Sequence, residues 1–295
     1  MKARIYNQKL IKSLRKRNDI MISQHILKYK RKSYKFLRII SKNIKPMDKI
    51  ILISAGIHGE EIAGPITLLK YSNLILDYIH KNGFRAIIYP IINPLGFEKG
   101  IRYQPDTKTK DDGVDINNFL RYILYDGTIT DDLKEQNVYK EWIWSSDERL
   151  KLNLPEETKL LHFLLKQEPL YQIVAAIDLH QDYITKDVPP AAYHYIYGDS
   201  MEYSEIYRKI EEITPLLRNK YIDAGYTNGG MKSDANGSLI RYDGSLSDLL
   251  QRLGAKNVVT VETTGITPLN KACMVNLAWI LGIIDITSNK FGLAS

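Results

Sequence analysis

The chain has 295 residues, of which 44% are hydrophobic and 25% charged, an ordinary globular composition that suits one large α/β domain or two small ones. Its net charge of +7 is unevenly placed, because residues 1–45 carry 15 Lys or Arg and one acid, while the remainder is mildly acidic. The single cysteine, Cys273, excludes an internal disulfide framework, and no apolar run approaches the ~20 residues of a membrane helix.

The basic N-terminal segment also lacks the apolar stretch of an ordinary secretory signal, so we expect a cytoplasmic protein. Residues 1–33 are predicted to be a lead-in that packs on a single domain spanning 34–295. Leu10, Ile11 and Leu14 share one helical face, which favours such packing. A basic segment can also bind nucleic acid or an anionic membrane. Packing is the simpler interpretation, and we expect no nucleic-acid partner.

Strands and helices are predicted to alternate along the chain. Strand 34–41, buried strand 49–54, helix 60–80 and strand 85–92 indicate a parallel βαβ unit. Residues 93–154 are predicted to be irregular. The later predictions are a helix from Pro155, a strand at 172–179, a helix at 204–217, a polar loop at 226–245, a helix at 246–253, a strand at 257–262 and a helix at 268–284. This alternation predicts a doubly wound α/β domain.

Residues suited to hydrolytic chemistry lie where three of these strands end. His58 and His180 each follow a strand, and Glu262 ends another, so all three are expected at the ligand-binding edge of the sheet. Glu61 lies one helical turn after His58. Two histidines and a carboxylate with an open fourth position form a catalytic zinc set, and Glu262 can serve as the general base. The alternatives are a dipole-stabilising acid at Glu61 and a structural histidine at position 180.

Seven short motifs occur in a distinctive order between about residues 34 and 285. They are HGEE (58–61), NPLGFEKGIRY (93–103), GVDINN (113–118), PEET (155–158), DLHQD (178–182), DGS (243–245) and VETTG (261–265). The set resembles the zinc carboxypeptidases and their aspartoacylase and succinylglutamate desuccinylase relatives. The resemblance implies a mixed, mostly parallel sheet flanked by helices. It also implies one zinc ion held by His58, Glu61 and His180, with Glu262 as base.

The same resemblance implies roles for several polar residues. Arg102 sits where the family has an arginine that stabilises the developing oxyanion. Asn117 matches the asparagine of an Asn-Arg pair that grips the terminal carboxylate of the substrate. Asn118 replaces the arginine of that pair, which removes a bidentate clamp. Arg121, one turn beyond Asn117 if that stretch is helical, and Arg241 are the candidates to replace it.

The family also has a mobile tyrosine, expected in the loop before the DGS motif. Tyr242 and Tyr226 both lie near this place, and we favour Tyr242. Residues 122–154, with Trp142 and Trp144, are predicted to be a lid or a plain surface insertion.

The function expected from these residues is metallocarboxypeptidase-like hydrolysis of a peptide or peptide-like amide. Because the clamp arginine is missing, an N-acyl amino acid deacylase is the first alternative. The second is an inactive zinc-binding module that recognises a peptide or a cell-wall fragment. Retention of Glu262 argues against the module, since a binding protein has little use for a free carboxylate facing a metal.

Overall fold

The computed structural model describes residues 1–29, 32–103, 115–130, 139–183, 188–222 and 231–292. Within them the chain forms the strands Ile20–Tyr29 (β1), Lys32–Ser41 (β2), Ile50–Ala55 (β3), Arg85–Tyr89 (β4), Leu120–Leu124 (β5), Ile129–Thr130 (β6), Tyr139–Trp144 (β7), Ile173–Leu179 (β8), Ala192–Ile196 (β9), Tyr221–Ile222 (β10), Met231–Lys232 (β11), Ser238–Leu239 (β12) and Asn257–Thr263 (β13). The α-helices are Ala3–Leu14 (α1), Ala63–Lys81 (α2), Pro94–Lys99 (α3), Glu156–Leu165 (α4), Ser204–Glu211 (α5), Leu246–Arg252 (α6) and Leu269–Lys290 (α7).

Eight of the strands form the main sheet, in the order β1-β2-β4-β3-β8-β13-β9-β12. The four central strands β4, β3, β8 and β13 are parallel, whereas β2 and β9 run antiparallel to their central neighbours. Every residue of β3 and of β13 is buried, as in strands that are covered on both faces. The predicted mixed, mostly parallel α/β fold is confirmed.

The connections of the sheet create a crevice between β3 and β8. The crossover from β3 to β4 passes through α2 and moves one way along the sheet, while the crossover from β4 to β8 passes through α4 and moves the other way. Right-handed crossovers therefore place α2 and α4 on opposite faces. The chain leaves β3 and β8 in opposite directions, so the carboxyl ends of these neighbours flank the switch point where such folds bind ligands.

The N-terminal segment is tied to the body by a helix and a strand. Tyr6, Leu10 and Leu14 of α1 are buried and Ile11 is partly buried, which agrees with the predicted packing face. The Tyr6 hydroxyl donates to the Pro65 carbonyl oxygen at 2.8 Å, which holds α1 against α2. Strand β1 pairs with β2 over ten positions and forms one edge of the main sheet. The division into a lead-in at 1–33 and a domain at 34–295 stays a prediction.

Several predicted element boundaries were wrong, for local reasons. The strand predicted to reach residue 92 ends at Tyr89, because Pro90 cannot donate to a ladder. Helix α2 begins at Ala63 rather than at Glu60, and α5 ends at Glu211, ahead of Pro215. The loop predicted at 226–245 contains β11 and β12, and its first residues, including Tyr226, lie outside the described residues.

The region from 93 to 154 is more regular than predicted. It contains the short helix α3 and a three-stranded antiparallel sheet in the order β6-β5-β7. Arg121 therefore lies on a strand, not on the helical turn considered for it. Aromatic and β-branched residues make up four of the six residues of β7 (YKEWIW) and two of the five residues of β5 (LRYIL), which favours strands.

Helix α7 is long and apolar enough, by length and composition, to cross a membrane, although no such segment was expected from the sequence. Over 18 residues its mean hydropathy is 1.4, and 56% of that window is buried inside the protein. It packs against α2, β8 and β13. These contacts are typical of a core helix.

Candidate metal centre

Three neighbouring strands deliver the central residues of the candidate site. Ala55 at the end of β3 pairs with Leu179 at the end of β8, and Leu179 pairs with Val261 on β13. This register puts His180 and Glu262 at one level, with the His180 amide donating to the Val261 carbonyl at 2.9 Å. His58 follows β3 at the same edge. The predicted convergence of the three strand ends is present.

Glu61 joins the two histidines. Its Oε1 lies 2.9 Å from His58 Nδ1, and its Oε2 lies 2.8 Å from His180 Nδ1. All three side chains are buried, and one donor atom from each lies within 4.8 Å of the others. Glu61 lies ahead of α2, in a turn where its amide donates to the His58 carbonyl at 3.3 Å. The three side chains can together hold one metal ion.

Two further carboxylates orient the imidazoles. Asp115 Oδ1 lies 3.2 Å from His58 Nε2, and Asp178 Oδ2 lies 2.9 Å from His180 Nε2. The Ser54 hydroxyl donates to the other oxygen of Asp178 at 2.7 Å. Metal-binding histidines use their second nitrogen in this way, which leaves the first nitrogen for the ion. This pairing fits the site to a metal held through both Nδ1 atoms.

Neither of these aspartates was predicted from the sequence as a site residue. For Asp178 a signal existed, because residues two apart on an extended chain point to the same face, and His180 follows at that spacing. For Asp115 no local signal existed. Its contact spans 57 positions along the chain and depends on the fold.

The buried charges of the cluster balance one another. Burial raises the pKa of Glu61, but His58, His180 and Arg102 outweigh it and hold this pKa well below the usual range. Burial lowers the pKa of His180, but Asp178 and Glu61 outweigh it and raise this pKa well above the ordinary value. Opposite charges thus alternate through the site and favour the ionised carboxylate of Glu61.

Glu262 lies beside this cluster. Its Oε1 is 4.0 Å from His180 Nδ1. Its Oε2 is buried and accepts no hydrogen bond from the described part of the chain. Burial and the nearby Glu61 raise the pKa of Glu262 well above its usual range. This carboxyl group therefore places an uncommitted oxygen next to the candidate metal ligands.

Arg102 reaches the same cluster from the segment after α3. Its NH1 donates to Glu61 at 2.6 Å and to Glu60 at 3.3 Å, whereas its buried Nε has no described partner. The Gly59 amide donates to the Arg102 carbonyl at 3.2 Å. A Cβ at Gly59 would lie 2.1 Å from the carbonyl carbon of Gly96, so only glycine allows this approach.

The predicted carboxylate-binding residues lie next to Asp115, and other groups hold their side chains. The backbone amide of Asn117 donates a hydrogen bond to the Asp115 carboxylate at 2.8 Å. The side-chain oxygen of Asn117 accepts a hydrogen bond from the backbone amide of Leu246 at 2.9 Å. The side-chain oxygen of Asn118 accepts a hydrogen bond from Arg121 NH1. Asn118 and Arg121 therefore form one connected polar unit, which begins three residues after Asp115.

Tyr242 has a different environment. Its ring lies 4.8 Å from the guanidinium carbon of Arg252 and 5.5 Å from the ring of Tyr197. The other candidate arginine, Arg241, contacts Asp243 at 3.5 Å. These contacts hold Tyr242 against β9 and α6, and its proposed role in substrate binding stays a prediction.

Comparison with known proteins gives a family match. The family model described as the succinylglutamate desuccinylase/aspartoacylase catalytic domain matches residues 48–219, more than half of the chain. The match includes His58, Glu61, Arg102 and His180 and ends before Glu262. No curated protein matches the chain by sequence.

Solved structures resemble the whole fold. A protein from Shewanella baltica OS155, provisionally described as a metallopeptidase, aligns with a TM-score of 0.64 at 20% identity, over 96% of this chain and 90% of its own. Carboxypeptidase A from Helicoverpa armigera aligns with a TM-score of 0.61 at 15% identity, over 96% of this chain and 71% of its own. A succinylglutamate desuccinylase from Silicibacter sp. TM1040 aligns with a TM-score of 0.51 at 15% identity, over 92% of this chain and 68% of its own. At these identities the likeness shows the fold.

Proposed function

We propose that this chain, which belongs to the succinylglutamate desuccinylase/aspartoacylase catalytic-domain family, is a zinc-dependent amide hydrolase that cleaves peptides or peptide-like substrates. The observation that carries the proposal is the buried His58–Glu61–His180 donor set with Glu262 beside it. A purely structural metal site would have little use for that additional carboxylate.

The donor chemistry supports zinc as the metal. Two imidazoles and one carboxylate form a known catalytic zinc set, whereas calcium and magnesium prefer sites built only from oxygen ligands. His58, Glu61 and His180 would hold the ion. When bound, zinc supplies a Lewis acid that polarises a carbonyl and lowers the pKa of a water molecule.

Glu262 is the proposed general base. Its Oε2, which has no hydrogen-bond partner in the described part of the chain, can take a proton from the attacking water and then return it to the leaving nitrogen. The raised pKa of Glu262 suits the second of these transfers, because a carboxylic acid must hold the proton until the carbon–nitrogen bond breaks.

Arg102 is the proposed donor to the developing oxyanion. Its NH1 is engaged by Glu61, whereas its buried Nε has no partner among the described residues, so we assign Nε to the substrate. Donors of this kind lower the barrier by about 3–4 kcal/mol.

A second substrate class is favoured by the family match itself. The matched model describes enzymes named for succinylglutamate and for acylated aspartate, so an N-acyl amino acid is the alternative substrate. The Asn118–Arg121 unit bears on both proposals, because each substrate carries a carboxylate that needs a cationic partner.

The test offers both substrate classes to zinc-loaded protein. Matched peptides with free or amidated C-termini and a panel of N-acyl amino acids are incubated, and mass spectrometry identifies the products. Replacing Glu262 by Gln is expected to lower kcat/KM about 10²–10⁴-fold. A chelator is the second control.

Each outcome selects one proposal. Loss of terminal residues only from free-ended peptides establishes a carboxypeptidase. Cleavage of an acyl amino acid alone establishes a deacylase. Stoichiometric zinc binding without turnover of any substrate would instead favour the inactive recognition module.

A further inference from the structure

Helix α1 carries a positively charged outer face. Its buried side consists of Ala3, Tyr6, Asn7, Leu10 and Leu14, which pack on the body of the protein. The opposite side and the adjoining helix ends expose Lys2, Arg4, Lys9, Lys12, Arg15 and Lys16, which we call the basic face. No acidic residue occurs in α1. In the described residues no member of the basic face forms an ion pair.

The stability of the helix explains only part of this arrangement, because Lys12, Arg15 and Lys16 lie at its C-terminal end, where cations favour the helix dipole. Cations near a helix N-terminus oppose the helix dipole, and α1 has no acid in its first turn to compensate for Arg4. Like charges three or four residues apart repel one another, as do Lys9 with Lys12 and Lys12 with Lys16. The charge of this face is complementary to an anionic surface outside the chain.

The exposed apolar residues indicate which kind of anionic surface fits. Ile5 is 38% exposed and, at 100° per residue, lies in the middle of the basic face, between Lys12 and Lys9. Met1, at the start of the segment, is 48% exposed. Aliphatic side chains among lysines and arginines are the pattern of a helix that lies in the interface of an anionic bilayer.

The same segment lacks the features of a single-strand nucleic-acid site. Proteins that bind single strands stack bases on exposed aromatic rings. Among the described residues up to position 48, the exposed large hydrophobic side chains include no aromatic ring. They are Met1, Ile5, Met21, Ile26 and Met47. Tyr6 and Phe36 are buried in the core.

We propose that the basic face and Ile5 form a docking surface for an anionic phospholipid membrane. The inner side of α1 stays packed on α2 while the outer side meets the headgroups, so docking needs no unfolding. The body of the protein, with its net negative charge, would then face away from the membrane.

Vesicle flotation tests the proposal with the full chain. Binding is expected to vesicles of phosphatidylcholine with phosphatidylglycerol, not to phosphatidylcholine alone, and to weaken as salt is added. Changing Lys9, Lys12 and Lys16 to Gln together should weaken binding about 100-fold, at ~1 kcal/mol per basic residue. Exposed Lys220, Lys232 and Lys256, changed to Gln in a matched control, should leave binding unaltered.

Ile5→Ser isolates the apolar contribution, since it should weaken vesicle binding without changing the dependence on salt. Thermal unfolding of every variant must match the parent, so that lost binding reports the surface and not the fold. The proposal is overturned by equal binding to neutral and anionic vesicles or by equal losses in the two lysine triplets. It is also overturned if duplex or single-stranded DNA binds more tightly than the vesicles through the same lysines.

Discussion

At the scale of single residues, the site depends on which nitrogen of each imidazole is committed to the protein. Asp115 is hydrogen-bonded to Nε2 of His58, and Asp178 is hydrogen-bonded to Nε2 of His180. The Nδ1 atoms of both histidines therefore point to Glu61. A histidine whose second nitrogen is fixed by a carboxylate has one tautomer and one ring orientation. The two aspartates would therefore influence the affinity of the candidate site for a metal ion without contacting the ion.

Replacing Asp178 by Asn should weaken zinc binding about 10–100-fold, because an amide orients the imidazole without adding the basicity of a carboxylate. Competition with a chromophoric chelator would measure the change in Kd. Asp126→Asn, in the exposed turn between β5 and β6, removes the same charge far from the histidines and should leave Kd unaltered. An unchanged affinity in Asp178→Asn would show that Ser54 and Asp178 serve only the packing of β3 against β8.

At the scale of elements, α4 is hydrogen-bonded to the segment that carries Asp115. The Thr158 hydroxyl in its first turn donates to the Ile116 carbonyl at 2.9 Å, next to Asp115. The neighbouring Glu157 is buried at 2% exposure. Its burial raises the pKa of its carboxyl from 4.5 to about 7. The folded protein therefore binds this proton more tightly than the unfolded chain.

This proton makes stability depend on pH in a defined direction. Between pH 4.5 and about 7 the folded state holds more protons than the unfolded state, so the free energy of unfolding falls as pH rises. The shift corresponds to about 3 kcal/mol in total. Glu157→Gln should make that slope less steep in urea unfolding measured across this range. Glu156→Gln, exposed on the same turn, should keep it.

Elements that contain a run of apolar side chains could be predicted from the sequence. Elements that are held mainly by pairing with another part of the chain could not. The apolar runs of β3, β8 and β13 and the polar residues that follow them indicated three strands and the edge where His58, His180 and Glu262 meet. Strand β1 mixes polar and apolar residues, because it lies at an edge and is held by backbone pairing to β2. Two-residue strands such as β6 carry no detectable period.

The same distinction holds within the site. The candidate metal donors lie in the segments that follow β3 and β8 and could be predicted, whereas the Asp115–His58 contact requires the fold. So does the packing of Arg252 against the rings of Tyr122, Tyr139 and Tyr242, at 5.0, 4.6 and 4.8 Å. That cluster joins α6 to the three-stranded sheet and fixes a tyrosine that the sequence suggested as a substrate contact.

At the scale of the whole molecule, the candidate metal centre lies at the carboxyl ends of β3 and β8. The connections that follow these two neighbouring strands run in opposite directions along the sheet. Its ligands come from the loops that follow β3 and β8, so an ion bound by His58, Glu61 and His180 links two neighbouring strands of the core. The unfolded chain does not bring these residues together. Metal binding should therefore stabilise the folded state through mass action.

Zinc at 100 times its Kd should raise the free energy of unfolding by about 2.7 kcal/mol, and a chelator should reverse the effect. Glu61→Gln should lose most of this stabilisation, because it removes the carboxylate that bridges both histidines. Glu262→Gln should retain it while losing turnover, since Glu262 is assigned to proton transfer and not to the metal. Chemical unfolding with and without zinc measures the free energy of unfolding of the parent protein, of Glu61→Gln and of Glu262→Gln. If Glu262→Gln instead lost the stabilisation as Glu61→Gln does, Glu262 would be a metal ligand, and the general base would have to be sought elsewhere in the crevice.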